Sequence, residues 1–78
     1  MVYLIYNDKT ITRTIAGAKE TFTVTNTKVN EWGTTVYYTT DGEGYVCIWK
    51  FGKSNYGDPF AQFENRKSTI TYNDSFTR

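Results

Sequence analysis

The sequence predicts an all-β domain: a small antiparallel curled sheet or barrel of five to six strands, with one short helix near residues 59–67. Three observations lead there. Val, Ile, Tyr and Thr alternate with polar residues at period two through most of the chain, as in strands with one covered face. Turn-forming runs punctuate that alternation. Finally, Tyr45–Phe51 is apolar on both alternating sets, as befits a strand in mid-sheet or one that displays rings to a ligand.

Val2–Asn7 reads as a first strand, turning at Asn7-Asp8-Lys9 into a return strand over Thr10–Ile15. Ala16-Gly17-Ala18-Lys19 is a breaker loop, and Glu20–Val29 a long strand with Thr at 21, 23, 25 and 27. Asn30-Glu31-Trp32-Gly33 is a turn before strand Thr34–Thr40. Asp41-Gly42-Glu43-Gly44 is a strong hairpin signal, because Asp-Gly favours the primed turns. Gly52–Gly57 is a loop. Asp58-Pro59 carries the signature of a helix start, Asp as N-cap and Pro at the first helical position. Phe60 and Phe63 would share a helical face, and Arg66-Lys67 suit a helix C-terminus. Ser68–Asn73 reads as a last strand, and Asp74–Arg78 is expected to fray.

If the turns at 30–33 and 41–44 have even length, the faces follow. One face then holds Thr21, Thr23, Thr25, Thr27, Val29, Thr34, Val36, Tyr38, Thr40, Tyr45, Cys47, Trp49 and Phe51. The other holds Phe22, Val24, Tyr37, Val46 and Ile48, with Asn26, Lys28, Thr35, Thr39 and Lys50. This layout resembles an SH3-like barrel, which has a short helical turn before its final strand; the resemblance covers the layout alone. An OB-type barrel places its helix earlier.

A chain of 78 residues makes a single domain, 1–78, with one modest core. Its nine basic and eight acidic residues nearly cancel, which disfavours a binder of duplex DNA. One Cys excludes an intramolecular disulfide, and with no His the chain lacks the donors of a zinc site. No apolar stretch approaches bilayer length, and Met1 leads straight into a strand pattern. A cytoplasmic, reducing setting is expected, with no membrane partner and no cofactor.

Catalytic equipment is missing. Without His, Ser-His and Cys-His nucleophiles are excluded. Cys47 sits mid-strand among apolar residues, where a thiol packs rather than reacts. The carboxylates Asp8, Asp41, Glu43, Asp58 and Asp74 lie at turns, as turn and cap residues do.

The expected function is therefore a non-enzymatic binding module, an adaptor or an inhibitor of a protein partner such as phages and mobile elements deploy. The candidate contacts are Trp32, Tyr38, Glu43, Tyr45, Trp49, Lys53 and Tyr56. Trp32 leads, because a Trp in a turn is a recognised hot-spot type. The alternative is single-stranded nucleic acid stacked on Tyr45, Trp49, Phe51, Tyr56, Phe60 and Phe63, with Lys50 and Lys53 beside them. Against it stands the need of a small domain for its aromatics inside, with Trp49 under a Phe60/Phe63 helix. A homodimer by edge-strand pairing is also expected, through Glu20–Thr27 or Thr10–Ile15, which contain no Pro.

Overall fold

The alternation does what period two dictates: each apolar set finds one side of a sheet. The computed structural model describes residues 2–73 and 76–77, and among them the strands are β1 (Val2–Tyr6), β2 (Thr10–Ile15), β3 (Ala18–Val29), β4 (Thr35–Thr40), β5 (Val46–Lys53), β6 (Pro59–Glu64), β7 (Thr69–Asn73) and β8 (Phe76–Thr77). They form one sheet in the order β7-β6-β5-β4-β3-β2-β1-β8. The first seven strands are an antiparallel meander. β8 runs parallel to β1, with Val2 opposite Phe76 and Tyr3 opposite Thr77. The two edges of the sheet, β7 and β8, are thus separated in the chain by only residues 74 and 75. Of the fraying expected over Asp74–Arg78, Phe76 and Thr77 instead pair with β1 as β8, and residues 74, 75 and 78 lie outside the described residues.

The sheet curls because β3 serves two partners in succession. Its Ala18–Thr23 half pairs with β2 and its Thr23–Val29 half with β4, and the register shifts between Val24 and Asn26. A bulge there bends the strand and increases its twist. Adjacent strands are about 4.8 Å apart, so β1 and β5 would be roughly 19 Å apart in a flat sheet. Instead Tyr6 of β1 stacks on Phe51 of β5 with ring centroids 4.0 Å apart. Arg13 of β2 likewise reaches Tyr72 of β7, its Nη1 3.5 Å from the phenol oxygen.

Inside the curl lies one core: Leu4, Ile11, Phe22, Tyr37, Cys47, Trp49, Phe51, Ala61, Phe63 and Tyr72. Trp49 is its centre, fully enclosed, with ring centroids 4.9 Å from Phe63, 5.5 Å from Phe22 and 5.9 Å from Phe51. Its indole N–H is buried without a hydrogen-bond partner among the described residues. Thr39, the buried polar side chain among the described residues, donates its hydroxyl to the Cys47 carbonyl at 2.8 Å.

The all-β class and the curl are as expected, but the meander has more strands than five or six, and no helix occurs among the described residues. Residues 59–64 instead form β6, and Asn65 to Ser68 close a tight turn. Phe63 sits opposite Trp49 in the β5–β6 register, so in-plane pairing with the central strand takes the place of a helix laid across it. Pro59 is tolerated as the first residue of a strand. The strands expected to be free edges are interior: β2 lies between β1 and β3, and β3 between β2 and β4. Neither strand is a free edge along its whole length.

Candidate functional site

Five of the six hairpin turns are built the same way. A short polar side chain at the turn's start accepts hydrogen bonds from main-chain N–H groups further on. Asn7 Oδ1 takes those of Lys9 and Thr10, and Asn65 Oδ1 those of Lys67 and Ser68. Asn30 holds Trp32 and Thr34, Asp41 holds Glu43 and Tyr45, and Ser54 holds Tyr56 and Asp58. In these last three the fourth residue is a glycine with positive φ: Gly33, Gly44 and Gly57. That is a type I turn closed by a left-handed residue, a loop of three residues. The third position points outward, and it is filled by Trp32, Glu43 and Tyr56.

In a meander, alternate turns share an end of the sheet. The β3–β4 and β5–β6 turns therefore put Trp32 and Tyr56 at one end, and the β4–β5 turn puts Glu43 at the other. Trp32 is 79% exposed and Tyr56 93%. Below Trp32 lies a cleft of about 310 Å³ lined by Tyr6, Tyr37, Phe51, Phe60 and Lys53. Gly52 keeps the cleft's floor thin: a Cβ there would lie 2.7 Å from Thr34 Oγ1 and 3.1 Å from the Phe60 ring.

The opposite end carries a polar slot of about 470 Å³ between Lys19–Thr21, Asp41–Cys47 and Asn65–Lys67. Tyr45 forms part of its wall, with the Arg66 guanidinium 3.8 Å above its ring. This end holds Glu43 and Tyr45 of the expected contacts.

The seven expected contacts thus separate into four places. Trp32, Lys53 and Tyr56 share one end, and Glu43 and Tyr45 the other. Tyr38 is half-buried on the outer face of β4, with Lys28 Nζ 5.7 Å from its ring. Trp49 is core and has no surface to offer a ligand. Sequence reasoning missed Tyr6, Tyr37 and Arg66. The recurrence of a short polar residue three before glycine, at 30, 41 and 54, was the available signal for the exposed tips.

Among the described residues no group of three His, Cys, Asp or Glu side chains could hold a metal ion. No helix among them is long and apolar enough to cross a membrane. Cys47 is buried, and its pKa is raised, chiefly by burial and then by the carboxylates of Asp41 and Glu20. We expect an aromatic disulfide reagent to label Cys47 on the order of a hundredfold more slowly in native than in denatured protein, since the thiolate forms only in opened states. Equal rates would place the thiol at the surface.

No family model matches the chain, and no curated protein or solved structure matches it.

Proposed function

We propose that this chain is a non-enzymatic protein-binding module that engages its partner through the Trp32/Tyr56 end. One observation carries the reading: two large rings stand exposed on turns whose backbones are fixed by Asn30 and Ser54. Neither ring belongs to the core. Exposed aromatics on fixed turns, one of them lining an aromatic-walled cleft, are the elements of an interface hot spot. A protein partner is favoured over single-stranded nucleic acid because Trp49, Phe51 and Phe63 are enclosed in the core. They are three of the six rings of the expected stacking platform.

Trp32→Ala and Tyr56→Ala are each expected to change unfolding free energy by less than about 1 kcal/mol. Affinity capture from cells that make the protein is expected to retain a protein partner with the wild-type bait and lose it with the double variant. Loss of about 3 kcal/mol of stability for Trp32→Ala would show a packing role instead. Submicromolar, salt-steep binding of a single-stranded oligonucleotide that quenches Trp emission would assign the surface to nucleic acid.

A further inference from the structure

The polar slot at the Glu43 end has an unfilled strand position as one wall. Val24 N–H donates to the Lys9 carbonyl at 2.9 Å, so Val24 is hydrogen-bonded toward the β2 side. In an antiparallel ladder that orientation alternates along the strand. Phe22 and Glu20 therefore also bond toward β2, and the main-chain groups of Thr23, Lys19 and Thr21 face the other side. Thr23 meets Thr40 there, but Thr40 is the end of β4. Beyond it the chain turns away at Asp41, and among the described residues no strand pairs with Lys19 or Thr21 on that side. Both residues are exposed and line the slot.

The side chains around this edge say what would complete it. The lining has three cations, Lys19, Arg66 and Lys67, and three carboxylates, Glu20, Asp41 and Glu43. Two of the carboxylates already have partners: Glu20 is ion-paired with Arg13, and Asp41 Oδ1 accepts from the Glu43 and Tyr45 N–H groups. The Arg66 guanidinium has no ion pair among the described residues, and its Cζ lies 3.8 Å from the Tyr45 ring centroid. A guanidinium held against a ring keeps N–H donors that can take a carboxylate in two hydrogen bonds.

We propose that the slot is a strand-addition site for an extended acidic peptide, whose backbone pairs with Lys19 and Thr21 of β3 and whose carboxylate is held by Arg66. Main-chain pairing of this kind supplies affinity, and side-chain pockets supply sequence preference. The site lies at the opposite end from Trp32 and Tyr56 and does not depend on them.

The probe is a blocked heptapeptide, Thr-Glu-Val-Glu-Val-Glu-Thr, titrated into isotope-labelled protein, with its Lys-for-Glu counterpart as control. The amides of Lys19 and Thr21 are expected to shift and to gain protection from exchange below about 1 mM acidic peptide. N-methylation of the alternate peptide amides that face β3 is expected to abolish binding. Arg66→Ala is expected to weaken it about fivefold, at the upper end of an exposed charge pair, while Trp32→Ala leaves it unchanged. No response at Lys19 and Thr21 to about 1 mM peptide, equal binding of the Lys peptide, or indifference to N-methylation would each overturn the assignment.

Discussion

Trp49→Ala is expected to destabilise the domain by about 3–5 kcal/mol, the cost of emptying a core position filled by a large ring. Trp49 is 0% exposed and has rings on several sides, so little can collapse into the space it leaves. Marginal stability of roughly 0.05–0.15 kcal/mol per residue makes such a loss comparable with the whole stability of a chain this short. Trp49→Phe should cost less than the truncation. It removes the buried, unpartnered indole N–H together with part of the ring, and leaving a donor unmade costs about 1–3 kcal/mol. Chemical denaturation measures both variants. With Trp32→Phe as background, Trp49 emission is expected to be blue-shifted and resistant to acrylamide. Red-shifted, readily quenched emission would mean that the curl is open and the ring available for stacking.

The class of fold was legible because period-two alternation is a local property. The distribution of side chains between faces was not, because it depends on counting residues through turns. Even loops at 30–33 and 41–44 would place Trp49 opposite Phe22. In the structure Val29 pairs with Thr35 and Thr40 with Val46, so both loops hold an odd number of residues. The bulge within β3 adds a third shift. It cancels the first loop's shift for Phe22 and Val24, which do share a face with Tyr37 and Thr39 as the even-loop count had it. It does not do so for Asn26 and Lys28. The second loop then brings Cys47, Trp49 and Phe51 onto that same face with Phe22 and Tyr37, and sends Val46 and Ile48, expected beside Phe22, to the other face. Gly33 and Gly44 at positive φ are the cause: each adds the left-handed residue that lengthens its loop by one. Residues 58–67 failed for a different reason. A six-residue segment with Phe60 and Phe63 three apart fits one helical turn, and with Ala61 and Phe63 two apart it fits a strand. The partner across the register, Trp49, decides between them, and no local pattern reports it. At the site, the exposed tips were legible as turn residues. The slot beside Lys19 and Thr21 was not, since it exists only because β3 outruns β4.

Arg13→Ala is expected to be the most damaging loss of a charged residue, about 2–3 kcal/mol, through packing more than through charge. Only 12% of the Arg13 side chain is exposed, and its guanidinium lies 4.5 Å from the Phe63 ring centroid, 5.5 Å from that of Phe22 and 5.6 Å from that of Trp49. It covers the aromatic cluster where β2 faces β7, as its contact with Tyr72 shows. Its ion-pair partner Glu20 is 48% exposed, so removing Arg13 leaves that carboxylate in water rather than stranded in the core. The usual severe penalty for breaking a buried pair therefore does not apply. What is lost is the apolar stem, the cation–ring attraction and the lid over Trp49. Arg13→Met restores the stem and fills the space without a charge, and it should recover more than half of the loss. Arg13→Lys keeps the charge but not the flat guanidinium, and it should recover less than Met does. Unfolding curves for the three variants at low and high salt separate the contributions. If Met is no better than Ala, or if salt erases the differences, the ion pair with Glu20 and not the covering of the rings is what Arg13 provides.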